Sequence, residues 1–257
     1  MIQFLLAALL TLLPATAFGV APTPAIYESM KVLDYRGQTM PLQEPLYDGQ
    51  GRNRTLGDWM HQRTPTLLTF NYTGCPMLCG LQQDGLAKSI NQLKLQVGRD
   101  FQIITVSIDP NESAQAIRNA SERMSAQVDA DWMVLRGTGD SVSNLTQAAG
   151  FPYTWVEDAQ QFAHPAVTYV LTESGTISQY FTSVHPEPKD LNWALLEAGN
   201  GNIGSLLDQI TLTCLQYDLD SNSYVATNIM QAGGMAVMGG LVVFFFMLWR
   251  RELARWR

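Results

Sequence analysis

Phe101 to Ile108, FQIITVSI, leaves the chain fewer choices than any other segment. It is a near-continuous apolar run rich in β-branched residues, so as a strand it needs cover on both faces. A central parallel strand receives that cover from crossover helices. The flanking segments fit such a sheet. TLLTFNY, residues 66 to 72, reads as a second strand, and Leu78, Leu86, Ile90, Leu93 and Val97 then fall on one helical face. After the central run, Asn111 or Ser113 would cap a helix whose inner stripe is Ala114, Ile117, Ala120 and Met124. A short strand from Trp132 to Leu135 and a short helix ending near Gly150 follow. AVTYVLT, the turn Glu173-Ser174-Gly175 and TISQYF form a hairpin, and Lys189 to Ala198 a last helix with Leu191, Leu195 and Leu196 inward. This order predicts an α/β fold with a mixed sheet flanked by helices.

Both ends of the 257-residue chain look like targeting signals. FLLAALLTLL, residues 4 to 13, followed by Ala15-Thr16-Ala17, has the layout of a secretory signal, although no Lys or Arg precedes it. From Ile229 to Trp249 no residue is charged, which is the length of a membrane-crossing helix. Arg250, Arg251, Arg255 and Arg257 follow at once and would hold the tail in the cytoplasm. Ala232, Ala236 and Gly240 make a small-residue face within the span. The expected divisions are a signal peptide at 1–17, an extended lead-in at 18–60, a folded domain at 61–200, a juxtamembrane segment at 201–226, the span at 227–249 and the basic tail at 250–257. This predicts a single-pass protein of a bacterial inner membrane with its domain in the periplasm. Of 16 basic and 23 acidic residues, four Arg and one Glu lie in the tail, leaving 12 and 22 ahead of it and a net charge of −10. That sign argues against nucleic acid as a partner.

Three cysteines are too few for a disulfide scaffold. Gly74-Cys75-Pro76-Met77-Leu78-Cys79 lies where the first strand gives way to the first helix, and Pro76 suits a first helical turn. Cys75 and Cys79, four residues apart, would then stand one turn apart on one face, with the helix macrodipole favouring their thiolates. Two soft sulfurs suit Cu(I), and one neutral imidazole in addition suits Cu(II), whereas structural zinc wants four protein ligands. A thioredoxin-like core fits the element order. In such a sheet the strand after His164 starts beside the N-terminus of the first helix, which makes His164 the third candidate ligand. His61 and His185 read as ordinary surface or core histidines, and Cys214 as a small buried residue near the membrane. By itself a CxxxC pair is equally compatible with core packing.

Phe70-Asn71-Tyr72-Thr73-Gly74-Cys75-Pro76-x-x-Cys79, then Val106-Ser107-Ile108-Asp109-Pro110, then His164 before a strand ending in a Glu-Ser-Gly turn, together resemble the Sco/SenC family over roughly residues 40 to 225. Leu195-Leu196-Glu197-Ala198 and the stretch from Cys214 to Asp218 are most similar to bacterial members with a C-terminal anchor. The resemblance implies a thioredoxin-like domain that binds Cu(I) or Cu(II) through the two Cys and the His. It also implies delivery of copper to the dinuclear centre of cytochrome c oxidase subunit II, or of a related copper oxidase, with a periplasmic copper donor upstream. The sequence departs from the family at Gly80, Gln82 and Gln83, where many relatives carry Pro and acidic residues.

The expectation is therefore a metallochaperone and not an enzyme. A thiol-disulfide oxidoreductase, with Cys75 and Cys79 as its redox-active disulfide and an oxidase subunit as substrate, is the principal rival. A thiol peroxidase is disfavoured because Tyr72 stands where peroxiredoxins carry Thr. A structural membrane protein of an oxidase assembly, its cysteines idle, is the remaining alternative.

Overall fold

The computed structural model describes residues 30–60, 64–74, 78–199, 215–218, 223–226, 235, 237–244 and 246–247, with backbone alone at 78–79, 215–218 and 223–226. The anticipated central strand is β4 (Gln102–Ser107), buried at every residue. It lies parallel to β3 (Thr66–Asn71) on one side and to β5 (Trp132–Gly137) on the other. Parallel neighbours require crossovers, and these are α2 (Leu78–Ile90) between β3 and β4 and α3 (Ala114–Val128) between β4 and β5. After α4 (Gly139–Ala148) the chain makes a small antiparallel pair, β6 (Thr154–Val156) and β7 (Gln161–Ala163). It re-enters the main sheet as β8 (Thr168–Leu171), antiparallel to β3, and closes the edge with β9 (Ile177–Phe181). A last helix, α5 (Pro188–Ala198), follows. The mixed sheet with helices on both faces is the thioredoxin-like arrangement expected from the element order.

Alternation along the strands sorts the core into two layers. Leu68, Phe70, Ile104, Val106 and Tyr169 face one way, against Val142 and Leu145 of α4. Leu67, Ile103, Val134 and Val170 face the other, against Leu86 and Ile90 of α2, Ile117 and Met124 of α3, and Leu191 and Leu195 of α5. The Thr105 hydroxyl lies 2.8 Å from that of Thr69 and accepts from the Trp132 indole at 2.9 Å. Each buried polar atom in this trio finds its partner within the sheet.

Local chemistry explains the joints. Ser113 caps α3 by accepting from the Ala116 amide at 3.1 Å. Gly175 in the β8–β9 turn has φ 79°, and a Cβ there would lie 2.6 Å from the Leu42 side chain. Gly85 lets the loop after β9 rest directly on α2, since a Cβ would come within 2.1 Å of the Val184 carbonyl oxygen.

Three features differ from the sequence expectation. The first helix ends at Ile90, and Leu93 and Val97 follow it as a loop whose side chains still pack on the same core. Their spacing matched a helical face because loop residues that return to one core satisfy the same pattern. Part of the lead-in joins the sheet: β1 (Pro45–Tyr47) pairs with β5 and with β2 (Asn53–Thr55), which leads into α1 (Leu56–Trp59). Strands of three residues are too short to carry a legible alternation. The sheet order is thus β2-β1-β5-β4-β3-β8-β9. Beyond the domain, β10 (Leu215–Asp218) and β11 (Ser223–Ala226) pair antiparallel within the segment expected to be juxtamembrane.

Among the described residues no helix is long and apolar enough to cross a membrane. The expected span lies only partly within them, and its described residues, 235, 237–244 and 246–247, are helical. The expected signal peptide and basic tail lie outside the described residues.

Candidate metal centre

β3 and β4 run out side by side. Asn71 is in register with Ser107, and the Ile108 amide donates to the Asn71 carbonyl at 2.8 Å. Two loops therefore leave the sheet together, one through Tyr72, Thr73 and Gly74 towards Cys75, the other through Asp109-Pro110-Asn111-Glu112 into α3. Cys75, Pro76 and Met77 lie outside the described residues; Cys79 is the second residue of α2, its backbone helical.

His164 follows β7 directly, four residues ahead of β8. Because Thr168 of β8 is in register with Thr69 of β3, the segment after His164 runs beside the end of β3. The imidazole is half-buried among aromatic rings, edge-on to Tyr72 at 5.9 Å and tilted against Phe151 at 5.8 Å. Tyr72 also meets Phe162 edge-on at 5.4 Å, and Phe162 meets the exposed Trp155 at 5.0 Å. The His164 Nδ1 stands 3.0 Å from the Pro165 carbonyl oxygen. A carbonyl only accepts, so Nδ1 carries the proton and the basic nitrogen of the neutral ring is Nε2. Beneath this wall, burial pushes the Tyr169 phenol far above the usual tyrosine range, and it pushes Tyr153 up less, with a Thr146 hydrogen bond working against it.

Two buried side chains that sequence reasoning did not single out as functional brace the loops. Gln82, 1% exposed on the first turns of α2, donates to the Val167 carbonyl at 3.0 Å and faces the Asn71 amide nitrogen at 3.4 Å. It thereby connects the helix that carries Cys79, the strand that leads to Cys75 and the segment that follows His164. Glu112, 8% exposed, accepts from the Thr73 amide through Oε1. A glutamate between a strand and a helix cap reads as surface charge, and its place two residues after Ser107-Ile108-Asp109-Pro110 was the available hint.

The structure thus brings His164 to the loop that leads to Cys75. It keeps His185 apart, exposed in the loop after β9, its amide donating to the Ser183 hydroxyl at 3.1 Å. His61 and Cys214 lie outside the described residues. Among the described residues no three His, Cys, Asp or Glu side chains converge on one point. As candidates, Cys75 and Cys79, four residues apart in sequence, and the His164 imidazole with one nitrogen at the Pro165 carbonyl would chemically suit copper.

The family model SCO1/SenC matches residues 46–195 of the chain. Among solved structures, an Aquifex aeolicus VF5 protein provisionally described as an electron transfer protein is 27% identical, with TM-score 0.57, over 63% of this chain and 94% of that one. A second Aquifex aeolicus VF5 structure, provisionally described as an electron transport protein, is 26% identical, with TM-score 0.54, over 63% and 98%. Arabidopsis thaliana ScoI, solved with copper bound, is 19% identical, with TM-score 0.51, over 60% and 94%, and shares the fold. Comparison with curated protein sequences gives no match.

Proposed function

The chain belongs to the SCO1/SenC family, and from that premise we propose that it is a copper metallochaperone which holds one copper ion between Cys75, Cys79 and His164. The observation that carries the reading is the placement of His164. Its ring lies edge-on to Tyr72, three residues before Cys75, with Nδ1 committed to the Pro165 carbonyl. Nε2 is then the nitrogen suited to a metal. Copper bound in a family member of the same fold supports the choice of metal.

A transfer protein needs fewer ligands than copper accepts, so that a receiver adds its own before the donor lets go. Two thiolates and one imidazole at the mouth of a loop meet that requirement. Delivery to the dinuclear copper centre of cytochrome c oxidase subunit II, or of a related copper oxidase, with a periplasmic donor upstream, completes the proposal. The domain would face the periplasm of a bacterial inner membrane, anchored by a C-terminal span with its tail in the cytoplasm. The exposed apolar side chains at Met235, Val237, Leu241, Val242 and Phe246 support an anchor. A thiol-disulfide exchange on the receiver's cysteines uses the same pair and is the second activity this site suits.

The test is anaerobic copper titration of the reduced full-length chain in detergent, followed by spectroscopy. One ion per chain is expected. Either Cys→Ser change should abolish binding of both oxidation states, and His164→Ala should remove most of the Cu(II) thiolate absorption while weakening Cu(I) modestly. His61→Ala and His185→Ala should leave both unchanged. A full Cu(II) spectrum in His164→Ala, lost instead in either of the other two, would sink the assignment. For topology, a reporter active only in the cytoplasm, fused after Asp220, should be silent.

A further inference from the structure

We propose that the β6–β7 hairpin is a docking arm for a partner protein whose surface is rich in Lys and Arg. Among the described residues the hairpin pairs with no other strand. On it, Trp155 is 45% exposed. Its indole N–H donates to the Glu157 carboxylate at 2.7 Å, and its ring meets that of Phe162, directly opposite on β7, at 5.0 Å. Phe162 is backed in turn by Tyr72 at 5.4 Å and Tyr153 at 6.0 Å. The indole is therefore seated on a half-buried aromatic base, with its one polar atom already satisfied. Such a side chain loses little freedom when a partner covers it, which is why Trp recurs at the energetic centres of interfaces.

The charge around it selects the partner. From Gly137 to Pro188 the chain has no Lys or Arg, while Asp140, Glu157, Asp158, Glu173 and Glu187 are all exposed. Glu157 accepts from the Trp155 indole and, at 3.1 Å, from the Gln160 side-chain amide, both neutral donors. Neither Glu157 nor Asp158 is ion-paired among the described residues. Two uncompensated carboxylates beside an exposed indole attract a cation twice over, through their charge and through the face of the ring. A second copy of this chain brings the same acids and is repelled, as is an anionic lipid surface. Nothing in this docking depends on copper, which sets it apart from the chaperone reading.

The experiment measures, by fluorescence anisotropy, binding of a labelled oligolysine peptide to the full-length chain in nonionic detergent. The wild-type chain should bind it, and more weakly as salt rises from about 0.1 to 1 M and the screening length shrinks from about 10 to 3 Å. Trp155→Ala should weaken binding by about threefold, and Trp155→Phe by less. Glu157→Gln with Asp158→Asn keeps an acceptor for the indole and removes both charges; it should weaken binding by about fivefold. Asp140→Asn with Glu173→Gln removes the same charge elsewhere and should leave the affinity nearly unchanged. No binding by the wild-type chain, an affinity unmoved in Trp155→Ala, or an equal loss in the control pair would overturn the proposal. If Trp155→Ala fails to fold, the carboxylate pair, which leaves the ring in place, decides. Trp155 emission, taken as the difference between wild type and Trp155→Phe, is also followed in micelles doped with brominated phosphatidylcholine. Quenching there would assign the arm to the membrane, and a dimer dissolved by Trp155→Ala would assign it to a second copy; either result refutes a basic partner.

Discussion

Replacing Gln82 with Leu isolates the polar connection between the three segments that carry the candidate ligands. Leucine nearly preserves the volume, so the loss is confined to hydrogen bonding. The Val167 carbonyl loses a donor at 3.0 Å and the Asn71 amide an acceptor at 3.4 Å, both in a region where Gln82 is 1% exposed. A buried carbonyl left without its donor costs about 1–3 kcal/mol, and the longer contact adds a few tenths. Added apolar burial offsets part of this, leaving roughly 1–2.5 kcal/mol. For a domain of this size that lowers Tm by roughly 2–10 °C. The assay is thermal unfolding of the full-length chain in detergent, paired with copper titration. Cu(II) binding should weaken more than Cu(I), because the connection holds the segment after His164 against α2. A Tm within about 1 °C of wild type would refute the argument that Gln82 holds these elements together.

Thr105→Val should destabilise by about 2–4 kcal/mol, since the Trp132 indole and the Thr69 hydroxyl both lose their partner; chemical denaturation reads it directly. Gly85→Ala should cost about 2–3 kcal/mol, because its Cβ would meet the Val184 carbonyl at 2.1 Å and the loop must lift; a Tm equal to wild type would mean the loop moves freely. The Arg99 guanidinium, opposed by burial and aided by the Gln96 amide, holds the Asp100 carboxyl below its usual range. With the folded pKa below the unfolded value, its stabilisation is present above about pH 4 and is lost as pH falls through the folded pKa. Asp100→Asn should therefore lower Tm at pH 7 and converge with wild type in strong acid.

The sequence alone pointed to the architecture, because an apolar run at Phe101–Ile108 between segments of helical period fits a sheet with helices above and below. It also offered Cys75, Cys79 and His164 as candidate soft ligands, since a Cys pair at a strand-to-helix junction and a His before a strand are local patterns. It could not determine the short edge strands or the end of α2: three residues hold no period, and Leu93 and Val97 mimic one. What only the tertiary structure decided is which distant side chains meet at the loop. Register between β3 and β4 sets Asn71 beside Ser107, and with it Glu112 under Thr73. Pairing of β8 with β3 carries His164 to Tyr72 and Gln82 to Val167. Those meetings depend on which strands are neighbours, a property of the packed sheet that no window of sequence contains.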